Sequence, residues 1–236
     1  MRSVLNHIEH RAREYAALPL YAFLRDATVD AEQRLKFVPG LAHFVMTFAD
    51  LYAMVLREEP ARDRYQEIVN AHTYEDGGHW KWYLADLAAL EGDGRVPFTD
   101  ALRFVWSPDT VKIRMLSYRI AQLGLGASSL QKLVLVECIE AAGKISLESV
   151  ADVGGEVARR LNRNLVYFGP HHLDTENDHT LEVGDVRSWL LDIELDLPSR
   201  TAMRTVVDQS FDAFTDFSHE LLRFAQTPPK LGRSDD

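Results

Sequence analysis

The chain has 236 residues, 46% hydrophobic and 26% charged, enough to bury a sizeable core in one large domain or two small ones. A net charge of −10 argues against nucleic acid or an anionic membrane as the main partner. The one cysteine, Cys138, excludes an internal disulfide framework and fits a reducing compartment, so a cytoplasmic protein is expected.

Proline is sparse and strand-like alternation nearly absent, so the chain reads as helices. The N-terminus, M-R-S-V-L-N-H-I-E-H-R, has no apolar signal core, and no apolar run of about 18 residues is present to span a bilayer. Val4, Ile8, Ala12 and Tyr15 recur at helical spacing over residues 3–17, and Pro19 closes that element before a short piece, Leu20 to Arg25. Asp30 with Gln33 three residues on has the form of a capping box. An apolar set from Leu35 to Val55 keeps helical period to about Arg57, kinked at Pro39-Gly40. Pro60 suits the first turn of the next helix, which continues through H-T-Y-E-D-G-G-H-W to Leu90.

Glu91 to Pro97 is the clearest turn cluster. Phe98 to Trp106 is a short apolar helix, and Ser107-Pro108 starts another that stops at a pair of glycines near Gly126. Ala127-Ser128-Ser129 caps a long apolar helix from Leu130 to about Val153, interrupted at Gly154-Gly155 before a basic turn of Arg159, Arg160 and Arg163. Asp185 to Leu197 and Ser199 to Gln226 are the last two helices. The expectation is a single all-α domain over residues 1–227, a bundle of seven or more helices, with 228–236 as a disordered tail. Exposed apolar helix faces on such a bundle make a homodimer an expectation.

The stretch Tyr167 to Thr180, Y-F-G-P-H-H-L-D-T-E-N-D-H-T, places His172, Glu176 and His179 at i, i+4 and i+7. At about 100° per residue, an α-helix brings the three to within roughly 60° of one another. Two imidazoles and a carboxylate on one face suit iron, manganese or zinc. The plainer alternative is a solvated polar face, since Asp174, Asn177 and Asp178 lie among them. His171 points about 100° from His172, to the surroundings of the ligands or the surface.

V-N-A-H-T-Y-E-D-G-G-H-W offers His72, Glu75, Asp76 and His79. On an ideal helix the last three point about −60°, +40° and −20° from His72, so all four can face one interior. Gly77-Gly78 costs roughly 1 kcal/mol per residue relative to alanine, tolerable where a backbone passes close to something or bends. The alternative is a polar helix end with a glycine stop before His79. In the nearly apolar V-L-V-E-C-I-E-A-A-G, Glu137 and Glu140 stand where a carboxylate needs a charge partner or a metal. They lie about 60° apart, which leaves the choice between them open, and an arginine such as Arg119 is a possible partner for one of them.

These parts, in this order, resemble the haem-oxygenase-like di-iron oxidases and oxygenases, relatives of the thiaminase-type and pyrroloquinoline-quinone-synthesis helical proteins. The resemblance covers about Leu35 to Phe217. In that family the last ligand helix carries His-x-x-x-Asp/Glu-x-x-His, matched by His172, Glu176 and His179. C-I-E-A-A-G is similar to the string around the family's middle glutamate, which selects Glu140. The first ligand helix supplies a histidine, matched by His79, and a carboxylate, matched by Glu75 or Asp76; His72 is able to replace either. The resemblance implies two iron ions (Fe) as cofactor, O2 as co-substrate, and a small-molecule substrate that is amino-acid-like or fatty-acid-like. E-D-G-G-H-W-K-W-Y-L is also similar to nitrile-forming members that act on a tryptophan-type amino acid. Tyr74, Trp80, Trp82 and Tyr83 are candidates for an aromatic pocket or for core.

Other chemistries find less support. Haem oxygenase would take a proximal histidine from His7, His10 or His43, but a carboxylate-rich interior is odd around a porphyrin. A metal-free thiaminase-like hydrolase needs an activated cysteine, and Cys138 in its apolar helix reads as a small core hydrophobe. No G-x-S-x-G elbow marks a serine hydrolase. A non-catalytic helical binding module leaves Glu140 unexplained.

Overall fold

The structure, a computed structural model, describes residues 1–90, 96–177 and 184–227, without the side chains of residues 176, 177, 184 and 185. Among the described residues every regular element is helical. In order these are α1 (Arg2–Ala16), α2 (Pro19–Arg25), α3 (Ala31–Arg34), α4 (Ala42–Leu51), α5 (Arg64–Glu75) and α6 (Trp80–Ala89). They are followed by α7 (Phe98–Val105), α8 (Val111–Gly124), α9 (Ser129–Leu161), α10 (Pro170–Asn177), α11 (Gly184–Asp192) and α12 (Leu197–Gln226). The expected tail, 228–236, lies outside the described residues, as does most of the Glu91–Pro97 turn cluster.

The long helix α9 is central, packing against α1, α2, α3, α5, α8, α10 and α12. Its run Leu133, Val134, Leu135, Val136 is fully buried, as is Cys138. The start is a capping box: Ser128 Oγ accepts the Gln131 amide hydrogen, and Gln131 Oε1 accepts that of Ser128 at 2.9 Å. The end is Asn162 in the left-handed region, φ 51°, behind Arg159 and Arg160 in the last turn.

Gly154-Gly155 does not interrupt α9, contrary to the sequence expectation. Glycine propensity costs only about 1 kcal/mol per residue here, and the buried Val150, Val153 and Val157 hold this part of the helix in place. Gly154 instead answers a steric need. A β-carbon there would stand 1.9 Å from the Phe168 carbonyl oxygen, so only glycine lets the chain leading into α10 lie on α9. Gly154→Ala is expected to lower stability by about 3 kcal/mol, the upper range for overpacking. Urea unfolding of the variant measures this.

The Pro39-Gly40 break is observed, as a 3-10 turn (Val38–Leu41) between α3 and α4. After α4 the helix widens into a π turn, Tyr52–Leu56, which carries Tyr52 fully buried towards α5. The run Ala31–Leu56 has a mean hydropathy of 1.4 over 18 residues, long and apolar enough by composition to cross a bilayer. This corrects the expectation of no such run: residues 37–56 contain only one of Asp, Glu, Lys and Arg, namely Asp50. In the bundle it is bent at Val38–Leu41, and it buries Leu35, Val38, Val45, Tyr52 and Leu56 against other helices. Helix α7 forms where expected but buries none of its residues: Phe98 is 76% exposed and the following Trp106 59%.

Candidate metal centre

Three segments converge: the end of α5 with the turn after it, the middle of α9, and the start of α10. Helix α5 begins at Arg64 because Asp63 accepts the Gln66 amide hydrogen at 2.9 Å. That cap leaves Pro60 outside the helix, not in its first turn. The helix expected to run on to Leu90 ends at Glu75, and Asp76–Gly78 form a 3-10 turn before α6. A β-carbon on Gly77 or Gly78 would meet nothing within 4 Å, so no close approach of another group requires these glycines.

The bend separates residues that an unbroken helix would have aligned. His72, fully buried, keeps its Nε2 3.0 Å from Glu140 Oε1 and 3.3 Å from Asp76 Oδ2. Glu75 Oε2 is further off, 3.7 Å from His72 Nδ1, and its side chain is 32% exposed while Asp76 is buried. The π turn sets the Tyr52 hydroxyl 3.3 Å from His72 Nε2. Burial by itself lowers the His72 pKa, but hydrogen bonds with Asp76, Glu140 and Glu75 outweigh it and push the value up to about 12.

Across the site, His79 Nδ1 lies 3.2 Å from His172 Nε2, and both rings are buried. Trp82 stacks on His79 with centroids 4.4 Å apart and planes 17° from parallel. The Nδ1 of His172 is 3.0 Å from the Tyr167 carbonyl oxygen. A carbonyl only accepts, so Nδ1 carries the proton and Nε2 is the nitrogen turned to His79. The Tyr167 peptide is in turn held by Asp86, buried on α6, whose carboxylate oxygens accept the Val166 and Phe168 amide hydrogens at 2.8 and 2.9 Å.

His72, Asp76 and Glu140 present ligand atoms within 4.8 Å of one another, a group able to hold a metal ion. Two donors each about 2.0–2.1 Å from one ion stand roughly 2.9–3.4 Å apart for octahedral to tetrahedral angles. The separations of 3.0, 3.3 and 3.2 Å given above fall in that range. The donor types, imidazole and carboxylate, are those that suit iron, manganese or zinc.

Of the residues singled out from the sequence, Asp76, His79, Glu140 and His172 all line one cavity of about 160 Å³. Glu75 lies beside His72 and is not part of the cavity lining. The Glu176 side chain and the whole of His179 lie outside the described residues. His171 is exposed, edge-on to Trp82 at 5.3 Å. Arg119 donates to Gln122 on the surface, so the described partner of Glu140 is His72 and not that arginine. His72 entered the sequence reading only as a substitute ligand; its i, i+4 relation to Asp76 was the signal for a larger role.

The rest of the cavity wall is mainly apolar and aromatic, including Phe37, Phe44, Phe48, Phe214, Phe217 and Trp80. A polar point on it is the Tyr21–Ser146 hydroxyl pair, 2.9 Å apart. Of the expected pocket aromatics only Trp80 reaches the lining. Trp82 stacks on His79, Tyr83 is core with its hydroxyl on the Val38 carbonyl, and Tyr74 is exposed beneath Arg57.

No protein-family model matches the sequence, and no curated protein matches it either. A solved structure does. The crystal structure of a TenA homolog from Pseudomonas syringae pv. tomato str. DC3000 superposes with a TM-score of 0.58, over 94% of this chain and 91% of that one. The fold is TenA-like. This is an all-helical architecture, as the family resemblance implied. At 16% identity the likeness concerns the TenA-like fold alone and brings no activity with it.

Proposed function

We propose that the chain is a non-haem, O2-dependent iron enzyme, with two iron ions, acting on a small and largely apolar amino-acid-like substrate. The observation that supports it most is that His72 meets Asp76 and Glu140, and His79 meets His172, at ligand-to-ligand spacing, with Asp76, Glu140, His79 and His172 lining one cavity. His72, Asp76, His79, Glu140 and His172 would hold the metal, joined by Glu176 and His179 on the strength of the sequence pattern. When bound, iron supplies the capacity to activate dioxygen and oxidise a C–H or N–H bond.

The chain's own residues do the rest. Glu140 and Asp76 bring negative charge into a buried site, which selects cations. Tyr167 orients His172 through its carbonyl, and Trp82 fixes the plane of His79. Phe44, Phe48, Phe214 and Phe217 keep water from the cavity and favour an apolar substrate body. The finer reading, a tryptophan-type amino acid taken to a nitrile, rests on the E-D-G-G-H-W-K-W-Y-L string alone.

A metal-free thiaminase-like hydrolase shares the fold and is the second reading. It would need a reactive thiol at the cavity. Cys138 is fully buried in α9, does not line the cavity, and has its thiol pKa pushed up by burial, with Glu137 adding to the effect. One experiment separates the two: anaerobic ferrous titration, then oxygen exposure followed by absorption spectroscopy, on the parent and on Cys138→Ala. The iron reading expects equal iron uptake and oxygen consumption in both proteins. Absent iron uptake together with a hydrolytic activity lost in Cys138→Ala would replace it with the hydrolase.

A further inference from the structure

The geometry points to Asp86 as the positioning residue for His172, acting through the Tyr167 carbonyl. The inference rests on the metal-centre reading. Asp86 lies on α6, in the same polypeptide segment as His79 but two turns beyond it, and it touches none of the ligand atoms described above. It is 1% exposed, which makes an acidic side chain there costly unless its oxygens are satisfied. They are satisfied by main chain: Val166 N–H donates to Oδ1 and Phe168 N–H to Oδ2, at 2.8 and 2.9 Å.

The two amides flank Tyr167, so one carboxylate clamps the residue whose carbonyl receives the His172 Nδ1 proton at 3.0 Å. This arrangement has the form of an outer-shell partner for a metal-binding imidazole, relayed through a peptide and not made directly. Gly154 supports the same segment from below, since its missing side chain makes room for the Phe168 carbonyl. Held in this way, the Nδ1–H tautomer of His172 leaves Nε2 with its lone pair directed at His79 and the cavity. Without the clamp the Tyr167 carbonyl can turn away, and His172 loses what distinguishes its two nitrogens.

Asp86→Asn tests this, because the amide keeps the size and one acceptor while turning an N–H against the second backbone donor. In the metal-free protein, long-range proton–nitrogen correlation spectra on 15N-histidine-labelled samples report the tautomer, with His172→Gln providing the assignment. Cobalt titration reports the metal affinity, and the circular dichroism melt shows whether the variant folds. In the parent, His172 is expected to be protonated on Nδ1. In Asp86→Asn, the Nε2–H form gains population and cobalt affinity falls about 10- to 100-fold. An unchanged tautomer overturns the inference, and so does cobalt binding within twofold of the parent. If the parent itself takes up no cobalt, the metal centre falls, and the tautomer shift alone then decides whether Asp86 orients His172.

Discussion

Glu140→Gln is expected to abolish tight metal binding with little change in shape. The substitution keeps the side-chain volume on α9 and removes one negative charge from a site where His72 Nε2 sits 3.0 Å from the carboxylate. Loss of an outer-shell partner costs up to about 100-fold in affinity, and loss of a charged ligand should exceed that. Anaerobic titration with cobalt or ferrous iron measures the change directly. A second consequence arises in the metal-free protein. There His72 is held as a buried cation between Asp76 and Glu140. Removing one carboxylate of a buried pair costs about 3–5 kcal/mol when the remaining charge is left uncompensated. Asp76 remains beside His72 and cushions that loss, so a stability decrease at the lower end is expected in urea. Metal affinity in Glu140→Gln equal to the parent's would remove Glu140 from the ligand set.

The metal-free protein should also lose stability as pH rises above neutrality, through His72. Its pKa is pushed up to about 12 in the fold, against about 6.5 for an unperturbed histidine. The folded state therefore binds more protons than the unfolded state between those two values. The contribution is full below about pH 6.5 and is lost as pH climbs towards the folded value, with a slope of at most about 1.4 kcal/mol per pH unit. Urea midpoints at pH 7.5 and 9 in the presence of a chelator give the slope. His72→Gln should flatten it. Ordinary histidines have finished titrating by pH 7.5, and His43, whose pKa burial lowers, has done so earlier. Equal slopes in parent and variant would show that His72 is not held as a cation. Bound metal should oppose the trend, because it replaces the proton on the imidazole.

Much of the site's chemistry was legible in the sequence because it is local. Helical period brings His172 and Glu176 onto one face, and the isolation of Glu140 in an apolar run marks it as needing a partner. Helix identity was equally legible, since Ser128 and Gln131 carry their cap in four residues. The first candidate segment departs from an unbroken helix for a local reason too. An ideal-helix projection treats residues 72–79 as one rod, whereas the α-helix ends at Glu75 and Asp76–Gly78 form a 3-10 turn. In that turn Asp76 is buried against His72, and Glu75 beside it is partly in solvent.

Sequence by itself determined the helical class and singled out the candidate donor residues, because periodicity and capping are short-range properties. Only the tertiary structure decided which atoms meet. His79 and His172 are 93 residues apart in the chain, and nothing in either segment encodes the 3.2 Å between their nitrogens. Gly154 looked like a helix stop and proved to be a space for another backbone, because the steric demand comes from Phe168 and not from α9 itself. Asp86 is, like Glu140, an acid among apolar residues, but its partners are two amides of a distant segment that only the tertiary structure brings to it.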